Sequence, residues 1–424
     1  MNREEKSIQG IDLMSLFLYL TLMALGWAAI YAVGHRGDST SILDFNSSHG
    51  KQLVWIASAL LLGATIMIIN YKFYTTFAFP IYGVAIFLLI ITFLLASEVK
   101  GSKSWFEIGS IRVQPSEFAK FATALALAKF LTLLNVSMKT FRDKAIAVGI
   151  IILPIGLILA QNDTGSALVF MGLFIVLYRE GFPAVLPVIG ILFIILFIVT
   201  ILFGAIPVVI ALAIFFGVMI GYLALNFRFN KGKIFLFAFI FVICASFTGF
   251  VVEPVFNKVL QPHQRSRINV LLGREFGEGA DYNVLQSKIA IGSGGLKGKG
   301  FLQGSITKGE FVPEQNTDFI FTTIGEELGF IGTTIFIVLY TALLLRIVFI
   351  AERQRSSFPK IYAYGVASIL FVHFAINIGM TIGLVPVVGI PLPFISYGGS
   401  SLWGFTILLF ILLKLDANRM VILR

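Results

Sequence analysis

The sequence predicts an all-α integral membrane protein with many membrane-spanning helices. Hydrophobic residues make up 58% of the 424 residues and charged residues only 13%, and the mean hydropathy is +0.93. A water-soluble domain could not cover its surface with this composition. Apolar runs of about 20 residues, long enough to cross a bilayer as a helix, recur along the whole chain. We therefore treat residues 1–424 as one polytopic domain.

The apolar runs predict about twelve transmembrane helices. The first run follows a charged N-terminal segment and lacks a small-residue cleavage site, which favours a membrane anchor over a cleaved signal peptide. The predicted spans are residues 11–33, 53–70, 74–97, 116–134, 145–161, 165–178, 183–203, 206–225, 234–252, 319–345, 361–385 and 399–414.

The distribution of Lys and Arg predicts the orientation of these helices. Cationic residues gather in the connections of one side, such as residues 139–144, and at both ends of the chain. Because cationic loops stay in the cytoplasm, both termini are predicted to be cytoplasmic. A long polar stretch, about residues 253–316, then becomes an extracytoplasmic loop. The net charge of +10 is explained by contacts with anionic membrane lipids, so no nucleic-acid partner is expected.

Cysteine and histidine usage excludes two kinds of site. Cys244 is the only cysteine and lies in an apolar run, so neither an intramolecular disulfide nor a thiolate metal cluster is possible. The four histidines have no zinc-binding spacing such as H-E-x-x-H, which argues against a zinc hydrolase. They are His35, His49, His263 and His373.

Asp318 lies where the long polar stretch meets the apolar run that begins at Phe319. The predicted topology places it at the outer boundary of the membrane. A carboxylate at a membrane boundary is costly, so Asp318 is the first candidate for a functional residue.

A glycine-rich run, residues 292–300, lies in the same polar stretch and contains Lys297 and Lys299. Glycine permits close backbone approach and lysine supplies cationic donors, which suits phosphate groups. The run is not a Walker P-loop, because Gly300 replaces the Ser or Thr that would hold magnesium. The alternative is a flexible surface or re-entrant loop with scattered charges.

A second cluster precedes the fourth predicted span. Residues 114–117, Gln-Pro-Ser-Glu, are typical of a helix start, and Glu117 favours the positive end of the helix dipole. Lys120 follows at i+3 on the same face, so the two side chains are predicted to form an intramembrane ion pair on a substrate path. A purely structural bridge is the alternative. Trp105 is either part of this site or an interfacial aromatic anchor.

Two further segments lie on the predicted outer face. Asp163 is a third acid between two spans, for which a helix cap or turn is the alternative interpretation. Three prolines within residues 386–393 precede a run of small residues at 396–401. This pattern predicts a rigid outer turn with a mainly structural role.

Together these segments resemble the SEDS family (shape, elongation, division and sporulation), and within it the elongation branch. They follow the family order over nearly the whole chain. The matching segments are residues 105–120, 161–165, 264–267, 286–295, 313–320, 326–329 and 392–401.

The resemblance implies about ten core helices, and the chain has room for an extra pair near residues 183–225. It also implies a peptidoglycan glycosyltransferase in the bacterial cytoplasmic membrane. Such an enzyme polymerises lipid II into β-1,4-linked strands on the extracytoplasmic face, releases undecaprenyl pyrophosphate, and serves cell elongation and shape. Asn283 and Asn316 stand where the family commonly has histidine, so roles of those histidines do not transfer.

The family pattern gives Asp318 the role of general base for the acceptor hydroxyl, in an inverting transfer. Cations would neutralise the leaving pyrophosphate together with a divalent ion, Mg²⁺ or Mn²⁺, whose ligands the sequence does not identify. The candidate cations are Arg112, Lys120, Arg265, Arg267 and Lys299. The other candidate substrate-binding residues are Trp105, Glu117, Asp163 and Glu314.

The resemblance further implies a partner, a class B penicillin-binding protein whose transpeptidase crosslinks the new strands. Two other functions stay open. A flippase or transporter of lipid-linked precursors would also need many helices and internal charges. A non-enzymatic scaffold would leave Asp318 without a role.

Overall fold

A computed structural model describes most of the chain. The described residues are 10–35, 44–96, 102–108, 111–226, 231–273, 280–309 and 311–420. Across these ranges the chain is helical apart from short loops and one two-stranded antiparallel hairpin, which confirms the predicted fold class. The chain divides into two compact units, residues up to 182 with 282 onward, and residues 183–281.

The first unit contains the hairpin and most of the helices. The hairpin pairs β1 (Phe106–Ile108) with β2 (Ile111–Val113). The helices before the second unit are α1 (Leu13–Gly34), α2 (Ser48–Ile68), α3 (Tyr71–Thr76), α4 (Ala78–Leu95), α5 (Pro115–Leu131), α6 (Phe141–Ala160), α7 (Thr164–Phe170) and α8 (Leu173–Arg179).

The second unit contains α9 (Val185–Phe203), α10 (Ala205–Asn226), α11 (Lys231–Ser246) and α12 (Pro262–Leu271). The three apolar segments predicted here are therefore helical. The predicted start of the outer loop at 253 is wrong, because α11 continues through π-helical turns to Val259. Pro254 lacks an N–H to close an α-helical bond, and wider turns on both sides keep the helix continuous.

The remaining helices start at the unit boundary and complete the first unit. They are α13 (Ala280–Ser293), α14 (Ser305–Lys308), α15 (Ile320–Glu352), α16 (Ser357–Thr381) and α17 (Gly399–Ala417). The predicted polar loop thus contains the helices α12, α13 and α14. A helix with few apolar residues gives little periodic signal, which is why α13 was not predicted.

Within the described ranges, nine helices are long and apolar enough to cross a bilayer, so the protein is a multi-pass membrane protein. The count of about twelve spans stays a prediction. The predicted span 165–178 is divided between α7 and α8. At the division, a Cβ on Gly172 would lie 2.8 Å from the Val372 side chain, so the backbone packs directly against α16.

Helix α5 forms the centre of the first unit. It packs against α4, α6, α16 and α17, and most of its side chains are buried. A helix surrounded on all sides can carry charged residues only where they are paired. This explains why Glu117 and Lys120, near the start of α5, pair with each other.

An ion cluster joins three helices at the end of α15 remote from Asp318. Asp12 caps α1 and accepts from Arg346 at 2.5 Å and from Arg353 at 2.9 Å. Arg353 also pairs with Asp416 in the last turn of α17. Burial raises the pKa of Asp12, but hydrogen bonds from Arg346 and from the Ser15 backbone outweigh burial and hold the pKa well below its usual value.

We predict that Asp12→Asn destabilises the protein by about 3 kcal/mol at pH 7, the lower end for breaking a buried pair. A depressed folded-state pKa stabilises fully above the unfolded pKa, near 4, and this stabilisation is lost as the pH falls through the folded pKa. In detergent, the melting temperature of Asp12→Asn should therefore be lower than that of the native chain above about pH 5. The difference between the two melting temperatures should narrow below about pH 4. A difference in melting temperature that is unchanged in acid would contradict the depressed pKa of Asp12.

Candidate active site

Asp318 lies in a tight turn directly before α15, and its side chain is half-buried. The backbone N–H groups of Thr317, Asp318 and Phe319 all converge on the carbonyl of Glu314, at 3.1, 3.1 and 3.2 Å. Glu314 itself has a φ of 55°, which is unfavourable for a residue with a side chain. Backbone strain of this kind concentrates at functional sites.

The carbonyls of this turn are held from the other side. Asn316 accepts from the Tyr397 backbone N–H at 2.9 Å, and Thr317 accepts from the Ser396 hydroxyl at 2.5 Å. The carbonyl of Asp318 accepts from the Asn377 side chain at 2.9 Å. Three consecutive carbonyls are thus anchored to α16 and to the proline-containing segment, residues 386–398. The segment predicted as a mainly structural turn is part of the candidate site.

The Asp318 carboxylate faces Gly389 of this segment. A Cβ at Gly389 would lie 3.3 Å from Oδ2 of Asp318, and the φ of 71° at Gly389 also disfavours any other residue. The missing side chain leaves room beside the carboxylate.

Asp163 borders the same segment. It caps α7 by accepting from Ser166 N at 3.0 Å, so the helix-cap interpretation is confirmed, and its other oxygen accepts from Gln114 at 2.7 Å. A Cβ on Gly165 would lie 2.4 Å from the Val388 carbonyl, so the start of α7 packs directly on residues 388–390. Asp163 and Asp318 therefore lie at two borders of one short segment.

The predicted ion pair in α5 is present. Lys120 Nζ lies 2.7 Å from Glu117 Oε1, and both side chains are almost fully buried, at 2% and 1% exposed. Lys120 also lies 2.8 Å from Nε2 of His373 and over the ring of Phe405. The second oxygen of Glu117 is buried and has no hydrogen-bond partner in the described part of the chain.

His373 was not predicted as a site residue from the sequence, because the histidines were considered only as metal ligands. Its Nδ1 lies 3.0 Å from the carbonyl of Pro391, which can only accept, so Nδ1 carries the proton. Nε2 then accepts from the Lys120 ammonium. The available signal was the spacing of His373 and Asn377, two polar side chains one turn apart in an apolar helix.

The hairpin carries Trp105 and Arg112 beside this centre. Trp105 is half-buried immediately before β1, and the guanidinium of Arg112 is exposed and pairs with Glu107 at 3.0 Å. The Ser400 hydroxyl donates to the carbonyl of Arg112 at 3.0 Å, and the Ser400 hydroxyl oxygen accepts from Gln114 N at 3.3 Å. The backbone of Arg112 is thus fixed, while its charge lies in an exposed pair that is weak and easily exchanged.

Lys299 is engaged by a structural carboxylate. Its Nζ donates to the buried Glu326 at 2.7 Å and to Ser305 at 2.8 Å. Glu326 also accepts from the backbone of Ile306 and from both donors of Thr307, so it anchors α14 to α15. The assignment of Lys299 to pyrophosphate stays a prediction, and the structure gives this lysine another partner.

The glycine-rich run is held against α15 by backbone hydrogen bonds. Gly329 has non-helical angles that open a turn of α15. The N–H groups of Lys299 and Gly300 donate there to the carbonyls of Glu326 and Glu327, both at 3.0 Å, and Gly298 donates to Gly294 at 2.8 Å. These three N–H groups are therefore already used within the fold.

Arg265 and Arg267 lie in α12 of the second unit, and both are half-buried. A capping box between Gln261 and Gln264 starts this helix. The assignment of both arginines to pyrophosphate stays a prediction.

Comparison with known proteins decides the family. The model of the FTSW_RODA_SPOVE family, described as "Cell cycle protein", matches residues 12–211 and 231–420. The chain belongs to this family. The resemblance to the SEDS family is thereby confirmed, and the match extends through both structural units.

Named relatives match over most of their length. Peptidoglycan glycosyltransferase RodA of Treponema pallidum is 31% identical and covers 98% of this chain and 99% of its own. Peptidoglycan glycosyltransferase MrdB of Escherichia coli K12 is 32% identical, over 91% of this chain and 88% of its own.

Solved structures share the fold. A chain of a peptidoglycan synthase complex that coordinates polymerization and crosslinking has a TM-score of 0.70 at 24% identity, over 97% of this chain and 99% of that chain. The rod shape determining protein RodA of Thermus thermophilus has a TM-score of 0.60 at 22% identity, over 97% of this chain and 98% of that chain.

The pairs Lys120–Glu117 and Lys299–Glu326 each contain a buried carboxylate, and their loss should lower the stability of the protein by different amounts. Lys120→Met leaves Glu117 without a donor, whereas Lys299→Met leaves Glu326 with the donors of Ile306 and Thr307. We predict a loss of about 3–5 kcal/mol for Lys120→Met, and of about 1–3 kcal/mol for Lys299→Met. Melting temperatures of the two variants in detergent compare them directly. Equal losses would show that the additional donors do not support Glu326.

Proposed function

We propose that this protein is a peptidoglycan glycosyltransferase that polymerises lipid II for cell elongation and shape. The curated relatives that match along almost the whole chain are named peptidoglycan glycosyltransferases. The observation that carries the proposal is the placement of Asp318. Its carboxylate stands at the end of a membrane helix, in a strained and doubly anchored turn, beside the open space at Gly389. A carboxylate held in this way suits a general base.

In the proposed reaction, Asp318 takes the proton from the sugar 4-hydroxyl of an acceptor lipid II. The hydroxyl oxygen forms a bond to the anomeric carbon of the donor glycan chain, and the bond from that carbon to the lipid pyrophosphate breaks. Attack in line on an α-linked donor inverts the configuration and gives a β-1,4 bond. The electron pair leaves on undecaprenyl pyrophosphate, which needs no protonation when cations neutralise it.

The structure favours some of the predicted cations over others for this leaving group. Arg112 presents an exposed guanidinium on an anchored strand. Lys120 and Lys299 each donate a hydrogen bond to a buried carboxylate. To contact the substrate directly, each ammonium group would have to donate to the substrate and to its carboxylate at the same time. The assignment of Arg265 and Arg267, which lie in the second unit, to the leaving group rests on the family resemblance alone. Trp105, Asp163, Glu117 and Glu314 are proposed to line the substrate path.

We propose an orientation with Asp318 on the extracytoplasmic face and both termini in the cytoplasm. The ion cluster of Asp12, Arg346, Arg353 and Asp416 lies at the opposite end of α15 from Asp318 and includes residues close to both ends of the chain. Arginines near helix ends favour the cytoplasmic side, which supports this orientation. Polymerised strands would be passed to a class B penicillin-binding protein for crosslinking. The fold shared with a chain of a peptidoglycan synthase complex is compatible with such a partner.

Metal dependence is a separate part of the proposal. Among the described residues there is no group of three or more His, Cys, Asp or Glu side chains that could hold a metal ion, so a resident metal site is not supported. Mg²⁺ usually keeps several waters and binds through one or two carboxylates plus substrate phosphates. A divalent ion, Mg²⁺ or Mn²⁺, would therefore arrive with the lipid pyrophosphate.

We predict that Asp318→Asn abolishes strand growth when the purified protein and its transpeptidase partner are given lipid II. Removal of a general base lowers rates by about 10²–10⁴-fold. Gel separation of labelled glycan strands measures the rate, and Asp143→Asn, at the start of α6, serves as the control that keeps activity. Growth at the native rate in Asp318→Asn would refute the role of Asp318. If the native protein only moved lipid II between leaflets, it would be a transporter, and if it did neither, a scaffold.

A divalent ion that binds with substrate should be removable without unfolding the protein. We predict that EDTA stops strand growth, that Mg²⁺ or Mn²⁺ restores it, and that the melting temperature of the substrate-free protein is unchanged. A lower melting temperature in EDTA would instead indicate a resident structural metal. Full activity in EDTA would remove the ion from the proposal.

A further inference from the structure

Helix α16 carries the fully buried polar side chains His373 and Asn377 within the otherwise apolar stretch of residues 369–380. They are four residues apart and therefore lie on one face of the helix. Inside a membrane protein, a buried polar side chain is expensive unless its hydrogen bonds are made. The groups that receive these bonds therefore indicate what the two residues do.

The two side chains hold consecutive carbonyls of the proline-containing segment. Asn377 Nδ2 donates to the carbonyl of Ile390 at 2.8 Å, and His373 Nδ1 donates to the carbonyl of Pro391 at 3.0 Å. Residues 390–391 lie next to Gly389, which faces the Asp318 carboxylate. One face of α16 thus fixes the backbone that forms the wall beside Asp318.

Each side chain also reaches a second group that bears on the reaction. The same amide nitrogen of Asn377 donates to the carbonyl of Asp318 at 2.9 Å, so one amide holds both Asp318 and the wall it faces. His373 accepts at Nε2 from Lys120, which in turn donates to Glu117. The result is a connected set of hydrogen bonds from Asp318, through residues 390–391, to the buried ion pair.

We infer that Asn377 and His373 are positioning residues for the glycosyl transfer, an inference that rests on the proposed function. Asn377 sets the gap between the Asp318 carboxylate and Gly389, where the acceptor hydroxyl would be deprotonated. His373, neutral and protonated at Nδ1, keeps Lys120 directed toward Glu117 and holds the Pro391 carbonyl. Neither side chain is required to touch the substrate.

The effect expected on catalysis follows from the distances. A leucine at 377 has a similar volume, but it would release the carbonyls of Asp318 and Ile390 together. A misplacement of about 1 Å at a reacting group lowers a rate by about 10²-fold, whereas binding of a large lipid-linked substrate depends on many other contacts. We therefore expect the loss to fall on kcat.

The test compares strand growth by the native chain and by Asn377→Leu, purified with the partner transpeptidase, over a range of lipid II concentrations. We expect kcat to fall by at least about 10-fold while KM changes by less than about threefold. The matched control is Gln354→Leu, which removes another buried amide, one that bonds the Ile350 carbonyl and Asp416 at the other end of α15. That variant should lose thermal stability and keep kcat.

His373 offers an independent arm. His373→Phe fills the space but removes both hydrogen bonds, whereas His373→Gln can still donate to one neighbour and accept from the other. We expect a fall in kcat for His373→Phe and its partial recovery in His373→Gln. Equal activity of the two variants would overturn the positioning role of His373.

A structural measurement keeps the inference testable without activity. Hydrogen–deuterium exchange should rise in peptides covering residues 314–320 and 386–397 in Asn377→Leu, and should stay native there in Gln354→Leu.

If Asn377→Leu does not fold, Asn377→Gln and Gly389→Ala, which alter the same gap, replace it. Native kcat or native exchange in the Asn377 variants would overturn the inference. Failure of the native chain to polymerise lipid II would refute the proposed function, and the exchange result would still decide whether Asn377 positions the turn.

Discussion

The hydrogen bonds between the Asp318 turn and the segment at residues 386–398 are the interaction on which the candidate site depends. Each of the carbonyls of Asn316, Thr317 and Asp318 receives a donor from that segment or from α16. At the same time, the N–H groups at the end of the turn converge on Glu314. In a low-dielectric environment such bonds are costly to leave unmade, so the turn is held in one arrangement. A carboxylate at the end of a membrane helix thereby becomes a fixed group.

The buried carboxylates of Glu117 and Glu326 are each paired with a lysine, but their other hydrogen-bond partners differ. Glu117 and Lys120 pair inside α5, where Lys120 also bonds His373 and the second oxygen of Glu117 has no hydrogen-bond partner among the described residues. Glu326 instead collects several donors and holds α14 and the glycine-rich run against α15. The Glu117–Lys120 pair is connected to the Asp318 turn through residues 390–391, while Glu326 holds structural elements together. The same residue types, Lys and Glu, thus serve two purposes according to how many other donors surround the carboxylate.

Physical patterns of the sequence account for much of what was predicted correctly. Hydropathy located nearly all of the long helices, because only helices satisfy their backbone groups inside a membrane. The i, i+3 spacing of Glu117 and Lys120 was enough to predict their pair. The continuation of α11 beyond residue 253 and the division at Gly172 were missed, because π-helical turns and close helix contacts depend on neighbouring elements. The sequence did not show that N–H groups of the glycine-rich run bond to α15, because their partners are more than 20 residues away along the chain.

By itself the sequence determined the fold class, the membrane location and the family, and it singled out Asp318 as the candidate acid, since each depends on composition, periodicity or contiguous motifs. The tertiary structure alone decided which groups surround that carboxylate. Gly389, Asn377 and His373 are between 55 and 71 positions further along the chain than Asp318, and no local pattern connects them to it. Hydrogen bonds from α16 to consecutive carbonyls exist only when the helices are packed. For this reason the sequence could name the acid, and only the packed structure could show what holds it in place.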